Sequence, residues 1–325
     1  RPTRGTATVR IGFLDARSLR CLTLRRMKFG AIDIGSNAVR LLVEEVRRKP
    51  SGRIHVEKVS FTRVPLRLGD DVFETGTISP EKSAALVKTM KAFWYLMDVH
   101  GVENYKACAT SAMREAENGK ELRAWVKKKA NIDIDIIAGK EEADLIFGGF
   151  TTVAGLGATD DFLYIDVGGG STEITLIRNG LRLRSQSFKL GTVRSLKGRI
   201  PDGEWDAVEA FVAQVTDPSD SLLSIGTGGN INRLHRLAGG ARFEPITRER
   251  LHEVHDQVTA LTYEERMEQL GMKPDRADVI VPAGEIYLRV MELAGSERIL
   301  VPKVGLSDGM ILAQFAEWEA ANAPE

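Results

Sequence analysis

Ala31-Ile32-Asp33-Ile34-Gly35-Ser36-Asn37-Ala38-Val39-Arg40-Leu41 and Tyr164-Ile165-Asp166-Val167-Gly168-Gly169-Gly170-Ser171-Thr172-Glu173-Ile174 are two versions of one pattern. Each has an apolar run, an aspartate, a turn with glycine and serine, and a second β-prone run. Each reads as strand, tight turn, strand. Glycine lets the backbone take φ > 0 and approach a ligand closely. Successive turn N–H groups make a concavity for phosphate oxygens, and an aspartate at the strand end can hold a hydrated divalent cation against them. G-x-x-x-x-G-K-[ST] and G-x-G-x-x-G are both absent there, so neither copy is a P-loop or a dinucleotide fingerprint. A lone D-x-G is common in ordinary hairpins. Two copies far apart predict two related domains, each offering a phosphate loop to a shared cleft, since ligand sites favour domain interfaces.

The composition allows this reading. A chain of 325 residues is long enough for two domains. Its hydrophobic content of 43% and charged content of 28% suit a globular protein with a sizeable core. A formal net charge of +0 gives no global field for nucleic acid, although a locally basic cleft is compatible with it. No run of 18 apolar residues is present, so no membrane span is expected. The two cysteines, Cys21 and Cys108, do not make a disulfide framework and suit a reducing compartment such as the cytoplasm. Cys108 reads as a small buried hydrophobe in a strand. Residues 1–26 are Arg-rich, contain the single acid Asp15, and lack the continuous apolar region of a secretory signal. They read as an extension before a folded core that begins near Met27, with domains expected over 27–150 and 151–325.

In chain order, strands are expected over 28–34, 39–47 and 54–61, then a loop through Pro65 and Gly69-Asp70-Asp71. Ser79-Pro80 caps a helix whose Leu86, Met90, Phe93 and Met97 form a core stripe. A strand over 105–109 enters Thr110-Ser111-Ala112-Met113-Arg114. Hydroxyls at a helix start suit an anion, and Arg114, one turn in, can fork onto phosphate oxygens; plain N-capping with a surface arginine is the alternative. A strand over 132–137 precedes a helix opening with Lys140-Glu141-Glu142. Acids there offset the helix dipole or place a general base in the cleft, and the pattern does not choose between Glu141 and Glu142. Gly155 to Asp160 reads as a connection. Asp166 and Glu173 stand on either side of the second hairpin, where they can bracket Mg²⁺. Asn179-Gly180 is a hairpin turn leading to a return strand over 181–190. A helix is expected over 204–215, and a strand over 221–225 enters the third glycine turn, Gly226-Thr227-Gly228-Gly229-Asn230, another phosphate or nucleotide contact before a helix. Helices are expected over 248–260 and 274–294. His252 and His255 lie about one turn apart and read as a solvated helix face. A strand over 298–301 is followed by a last helix over 307–321, with Ile311, Phe315 and Trp318 on one face, packing back toward the first domain.

Taken together, these motifs resemble the exopolyphosphatase/guanosine pentaphosphate phosphohydrolase (Ppx/GppA) family. The resemblance rests on Asp33-Ile34-Gly35-Ser36-Asn37, Ala109 to Arg114, Gly139-Lys140-Glu141-Glu142-Ala143, Asp166 to Glu173, Gly191-Thr192-Val193-Arg194 and Gly226 to Gly229, in the family's order over about residues 27–322. It implies an α/β, duplicated actin-like fold of the sugar-kinase/Hsp70/actin type, with a cleft between two domains. It implies a phosphoric anhydride hydrolase that removes a terminal phosphate from polyphosphate or pppGpp with Mg²⁺, with Glu142 as general base and Asp166, Glu173 and Asp33 as the metal side. Ser36, Asn37, Thr110, Ser111 and Arg114 match phosphate-contacting positions, alongside Gly35, Gly168, Gly169, Gly170, Ser171, Gly228 and Gly229. Relatives of this kind are often homodimers, and no nucleic-acid or membrane partner is implied. The helical C-terminal extension of longer members is absent from the sequence, and Asn230 stands where many members have threonine. Two other readings are weighed: an actin-fold kinase or ATPase, which would use an aspartate against a substrate hydroxyl, and a non-catalytic sensor of polyphosphate or (p)ppGpp.

Overall fold

The computed structural model describes residues 26–154, 161–217, 222–241 and 243–322. The expected connection at Gly155 to Asp160 and the extension over 1–25 lie outside them. The first series of elements is β1 (Met27–Ile34), β2 (Val39–Arg48), β3 (Ile54–Val64), α1 (Leu68–Thr75), α2 (Pro80–His100), β4 (Asn104–Ala109), α3 (Ser111–Glu115), α4 (Gly119–Ala130), β5 (Asp135–Ile136) and α5 (Gly139–Ala154). The second is β6 (Phe162–Val167), β7 (Thr172–Arg178), β8 (Leu181–Phe188), α6 (Thr192–Leu196), α7 (Glu204–Val215), β9 (Leu223–Thr227), α8 (Gly229–Leu237), β10 (Ile246–Thr247), α9 (Arg248–Ala260), α10 (Tyr263–Glu268), α11 (Pro274–Ala277), α12 (Ile280–Leu293), β11 (Arg298–Leu300) and α13 (Leu306–Ala321).

The two sheets repeat one plan. The first has the order β3-β2-β1-β4-β5 and the second β8-β7-β6-β9-β11-β10. In each, the three opening strands form an antiparallel meander. In each, the next two strands add in parallel on the far side of the first. β10 is an added edge strand, antiparallel to β11. This repetition is the duplication that the sequence pattern predicts and the actin-like α/β fold that the family resemblance implies.

Local chemistry explains the elements. Ser79 accepts from the Lys82 N–H and Pro80 sits in the first turn of α2, where a missing N–H costs nothing. Leu86, Met90, Phe93 and Met97 are buried along it. Asn179 and Gly180 both have positive φ (50° and 68°), as the two-residue β7–β8 turn requires.

Helices α5 and α13 join the halves. Ile146 of α5 and Met310, Ile311 and Phe315 of α13 share one core with Phe29 and Leu42 of the first sheet and Phe162 and Tyr164 of the second. Phe315 meets Phe29 edge-on at 6.1 Å, and Gln314 donates to the Gly30 carbonyl. The two helices cross at glycines. A Cβ on Gly149 would lie 2.8 Å from the Gly309 Cα, and one on Gly309 would lie 2.0 Å from the Leu145 carbonyl oxygen.

Several elements differ from the expectation. Gly69-Asp70-Asp71, read as loop, lies in α1, which starts after Arg67 in the left-handed region (φ 50°). The strand expected over 132–137 pairs only at Asp135–Ile136, because Ile132 and Ile134 are buried outside the ladder. The return strand stops at Phe188, and the helix expected over 274–294 is broken between Ala277 and Ile280. His255 is buried, with its Nε2 3.0 Å from the Val281 carbonyl, whereas His252 is exposed beside Asp256. The two histidines therefore do not share a solvated face.

Candidate active site

Both glycine hairpins are built the same way. Gly35 N–H donates to the Ala38 carbonyl at 3.1 Å, and Gly168 N–H donates to the Ser171 carbonyl at 2.9 Å. In each, the next carbonyls are held by the start of the short helix that follows the meander. Arg67 N–H and Gly69 N–H donate to Asn37 and Ser36, while Thr192 N–H donates to Gly168 and Val193 and Arg194 N–H donate to Gly169. A planar trans peptide points its N–H opposite its carbonyl. The N–H groups of Asn37, Gly169 and Gly170 are thus turned away from those helices. The hairpins touch, since a Cβ on Gly169 would fall 2.9 Å from Ser36 Cβ and one on Gly170 would fall 2.6 Å from Ser111 Oγ. Here glycine is required because side chains of the first half, Ser36, Phe73 and Ser111, press on the second hairpin.

The hairpins differ at their bases. Asp33 faces Arg40 across the first, and the guanidinium donates to its carboxylate at 2.5 Å. At the equivalent position the second has Asp166 facing Glu173, two carboxylates with no cation between them. Glu142, in the first turn of α5, is the third member. One oxygen from each of Glu142, Asp166 and Glu173 lies within 4.8 Å of the others. Glu173 is 2% exposed and accepts from the Ser171 and Ser187 hydroxyls at 2.8 and 2.7 Å. Asp166 accepts from Thr227 at 2.8 Å. Glu142 Oε2 is buried without a hydrogen-bond partner.

Electrostatics follow from this crowding. Burial, then the neighbouring Glu173, pushes Asp166 up to about 7. Burial, then Glu173, Asp166 and Asp33, drives Glu142 well above the usual carboxylate range, with Arg114 opposing. Burial raises Glu173 against its two serine donors. Like charges this close favour protonation or a bound cation. A set of carboxylate oxygens with one unpartnered buried oxygen fits a hard divalent cation.

A cavity of about 460 Å³ opens over these groups, lined by Asp33, Gly35, Ser36, Asn37, Thr110, Ser111, Glu142, Asp166, Gly168, Gly169, Ser171, Gly228 and Gly229 among others. Ser36 and Ser111 hydroxyls meet at 2.8 Å. Gly228 has φ 111° and opens α8, so that helix start faces the cavity. Gly170, Glu173 and Arg114 stand behind the lining. Arg114 donates to the Ile137 carbonyl at 2.8 Å and acts on the carboxylates through its charge.

Pattern reading missed the cavity's basic side chains. Arg40, Arg63, Arg236, Arg276 and Lys303 line the same cavity. Burial, then Arg63 and Arg40, pulls the Arg276 guanidinium below its ordinary value, the mark of cations pressed together. Arg40 carried a signal, because it aligns with Glu173 in the duplicated hairpin. Arg194, quoted only as part of a motif, ties the halves. It donates to the Gly170 carbonyl at 2.9 Å and to both oxygens of Glu115 at 2.8 Å, and its guanidinium lies 4.1 Å from the Phe73 ring centre.

A cavity lined by clustered carboxylates, guanidiniums and glycine turns is that of a phosphoryl-handling protein of the actin-like class. A family model described as the Ppx/GppA phosphatase family matches residues 46–317, and the chain belongs to that family. It is 26% identical over 309 residues to "Exopolyphosphatase 1" of Mycobacterium tuberculosis, covering 89% of this chain and 88% of that one. It is 27% identical over 299 residues to the "Guanosine-5'-triphosphate,3'-diphosphate pyrophosphatase" of Aeromonas hydrophila, covering 87% of this chain and 58% of that one. The crystal structure of an exopolyphosphatase from Cytophaga hutchinsonii superposes with a TM-score of 0.74 at 25% identity, over 90% of this chain and 98% of that one. Among the described residues, no helix is long and apolar enough to cross a membrane.

Proposed function

We propose that this chain hydrolyses the terminal phosphoanhydride of a polyphosphorylated substrate, inorganic polyphosphate or pppGpp, in the cavity between its two sheets. The observation that carries this is Glu142 Oε2, buried and unpartnered, beside Asp166 and Glu173 and facing the glycine turns. Asp166 and Glu173, with Asp33 beside them, would hold Mg²⁺, which would supply charge neutralisation at the phosphate being transferred. The N–H groups of Asn37 and Gly169 and the hydroxyls of Ser36, Thr110 and Ser111 orient that phosphate, with Gly35, Gly168, Gly170, Ser171, Gly228 and Gly229 shaping the turns around it. Glu142 accepts a proton from the attacking water. Its raised pKa makes it a stronger base once it is ionised. The charge of Arg114 opposes the protonation of Glu142 and Glu173. Arg40, Arg63 and Arg276 hold the remaining phosphates. The protein supplies position and field rather than covalent chemistry.

We assign the two halves of this machinery to domains over 27–150 and 151–325, with the α13 segment lent to the first. The buried thiol of Cys108, pushed up to about 12 by its burial, suits a reducing compartment and a cytoplasmic site of action. A homodimer is expected through α2, where Tyr95 is 64% and Val99 81% exposed beside Trp94. An antiparallel crossing of two α2 helices centred between Trp94 and Tyr95 sets Lys91 against Asp98 of the second copy, an isologous arrangement. Tyr95→Glu should give a monomer by light scattering, and a monomeric unsubstituted chain would refute this interface.

The test of the activity is phosphate release with Mg²⁺ from tripolyphosphate, long polyphosphate, pppGpp and ATP, with Glu142→Gln in parallel. Release that is lost in the variant while binding persists supports the hydrolase. Absence of release from every substrate, with binding intact, sinks it.

A further inference from the structure

The β2–β3 pairing contains one irregularity. Val43 faces Ser60, but the next residue, Glu44, faces Lys58, so Val59 is an extra residue in β3. Residues directly opposed on paired strands share a face. Phe61, opposite Leu42, and Lys58, opposite Glu44, therefore project from one face, although three positions of a regular strand would put them on opposite faces. Bulges re-aim side chains in this way and gather beside active sites. Arg40 and Arg63, also opposed, lie on that face, and the cavity lining includes Lys58 and Phe61.

Phe61 is odd for such a place. It is 51% exposed on a face that also carries Arg40 and Arg63, and the Lys58 ammonium stands 5.7 Å from its ring centre. Two strand spacings and two residues of rise separate it from Asp33, roughly 12 Å. That is beyond the phosphate under attack and beside whatever trails the phosphates. A chain of inorganic phosphates offers nothing for a phenyl ring to stack on. A nucleobase offers a π-face.

Resting on the hydrolytic reading above, we propose that the bulge at Val59 sets Phe61 as a stacking platform for the base of a nucleoside polyphosphate, making Phe61 a specificity-determining residue. Lys58 faces the same ligand from the side and favours its anionic part.

The test is calorimetric titration of the Glu142→Gln chain, which blocks turnover, with GTP and with inorganic tripolyphosphate, each with Mg²⁺. The two ligands share three phosphates and differ by the nucleoside. Phe61→Ala should weaken GTP about ten-fold and leave tripolyphosphate little changed, while Phe61→Tyr should retain GTP. If both ligands weaken alike, or neither does, the platform is refuted and Phe61 is an ordinary exposed strand residue. Phosphate release by the unsubstituted chain is read separately. Base discrimination without release removes the hydrolase and keeps the platform; release without discrimination does the reverse.

Discussion

Alanine is a better helix former than glycine by about 1 kcal/mol, yet Gly309→Ala should destabilise this protein. The reason is the crossing of α5 and α13. A Cβ at position 309 would sit 2.0 Å from the Leu145 carbonyl oxygen, where ordinary contact begins at 3.4 Å. The helices must separate by about 1.4 Å, the difference of those distances, and both contacting groups are backbone, so no rotamer relieves the overlap. Overpacking of this kind costs about 1–3 kcal/mol, which outweighs the gain in propensity. The net loss of up to about 2 kcal/mol should lower the melting temperature by a few degrees in a chain of this size. Activity should fall further, because α5 carries Glu142 in its first turn and an ångström of misplacement can cost about 100-fold in rate. Gly148→Ala is the internal control. It lies on the same helix, but its Cβ would meet nothing within 4 Å, so it should stabilise by up to about 1 kcal/mol. Differential scanning calorimetry and kcat for both variants decide the matter. A Gly309→Ala protein that melts higher, with kcat unchanged, would refute the reasoning about the crossing.

Glu44 gives a pH signature. It is buried, and burial, then Asp308, raises it from 4.5 to about 7, with Lys58 opposing. A carboxyl raised on folding loses stability as pH climbs through its folded value. Glu44→Gln should therefore gain on the parent by on the order of 3 kcal/mol between pH 4 and pH 9, seen in paired denaturant titrations; a constant offset would contradict it. Chelation of divalent cations should lower the melting temperature, and more so at pH 8 than at pH 5, because Asp166 is pushed up to about 7 and is protonated in acid. Arg194→Ala leaves Glu115 and the Gly170 carbonyl unpartnered and should cost on the order of 3 kcal/mol. Arg194→Lys should rescue little, since an ammonium cannot make the same fork; full rescue in a thermal melt would show that charge alone matters.

The hairpins were legible because the duplication repeats spacing as well as residue type, and because glycine and aspartate at a strand end have few other uses. The pairing of Asp166 with Glu173 across the second hairpin could be counted from the turn. The helix at Leu68–Thr75 was hidden because Gly69, Asp70 and Asp71 are poor helix residues. What holds it is tertiary: Gly69 N–H is spent on the Ser36 carbonyl, and Arg67 bridges Asp70 and Asp278. His255 was legible and misread, for it falls four residues after Leu251 and three before Val258, both buried. Of the basic groups in the cavity, only Arg40 was legible, through its alignment with Glu173 in the duplicated hairpin. Arg40, Arg63 and Arg276 are scattered in sequence and converge only when β2, β3 and the segment before α12 meet.

The exchange of α5 and α13 between the sheets has a consequence for biosynthesis. The Gln314 amide that donates to Gly30 is 284 positions away along the chain, and Phe315 completes the packing over Phe29. A ribosome that has released β1 to β5 has not yet made the helix that covers one face of that sheet. The nascent half must then wait with Phe29, Leu42 and Val46 uncovered until α13, 284 positions on from Gly30 at Gln314, has emerged. Domains usually fold as they emerge; here topology ties the fate of the first sheet to the arrival of α13, and delayed, cooperative folding with a need for chaperone shelter is the expected result.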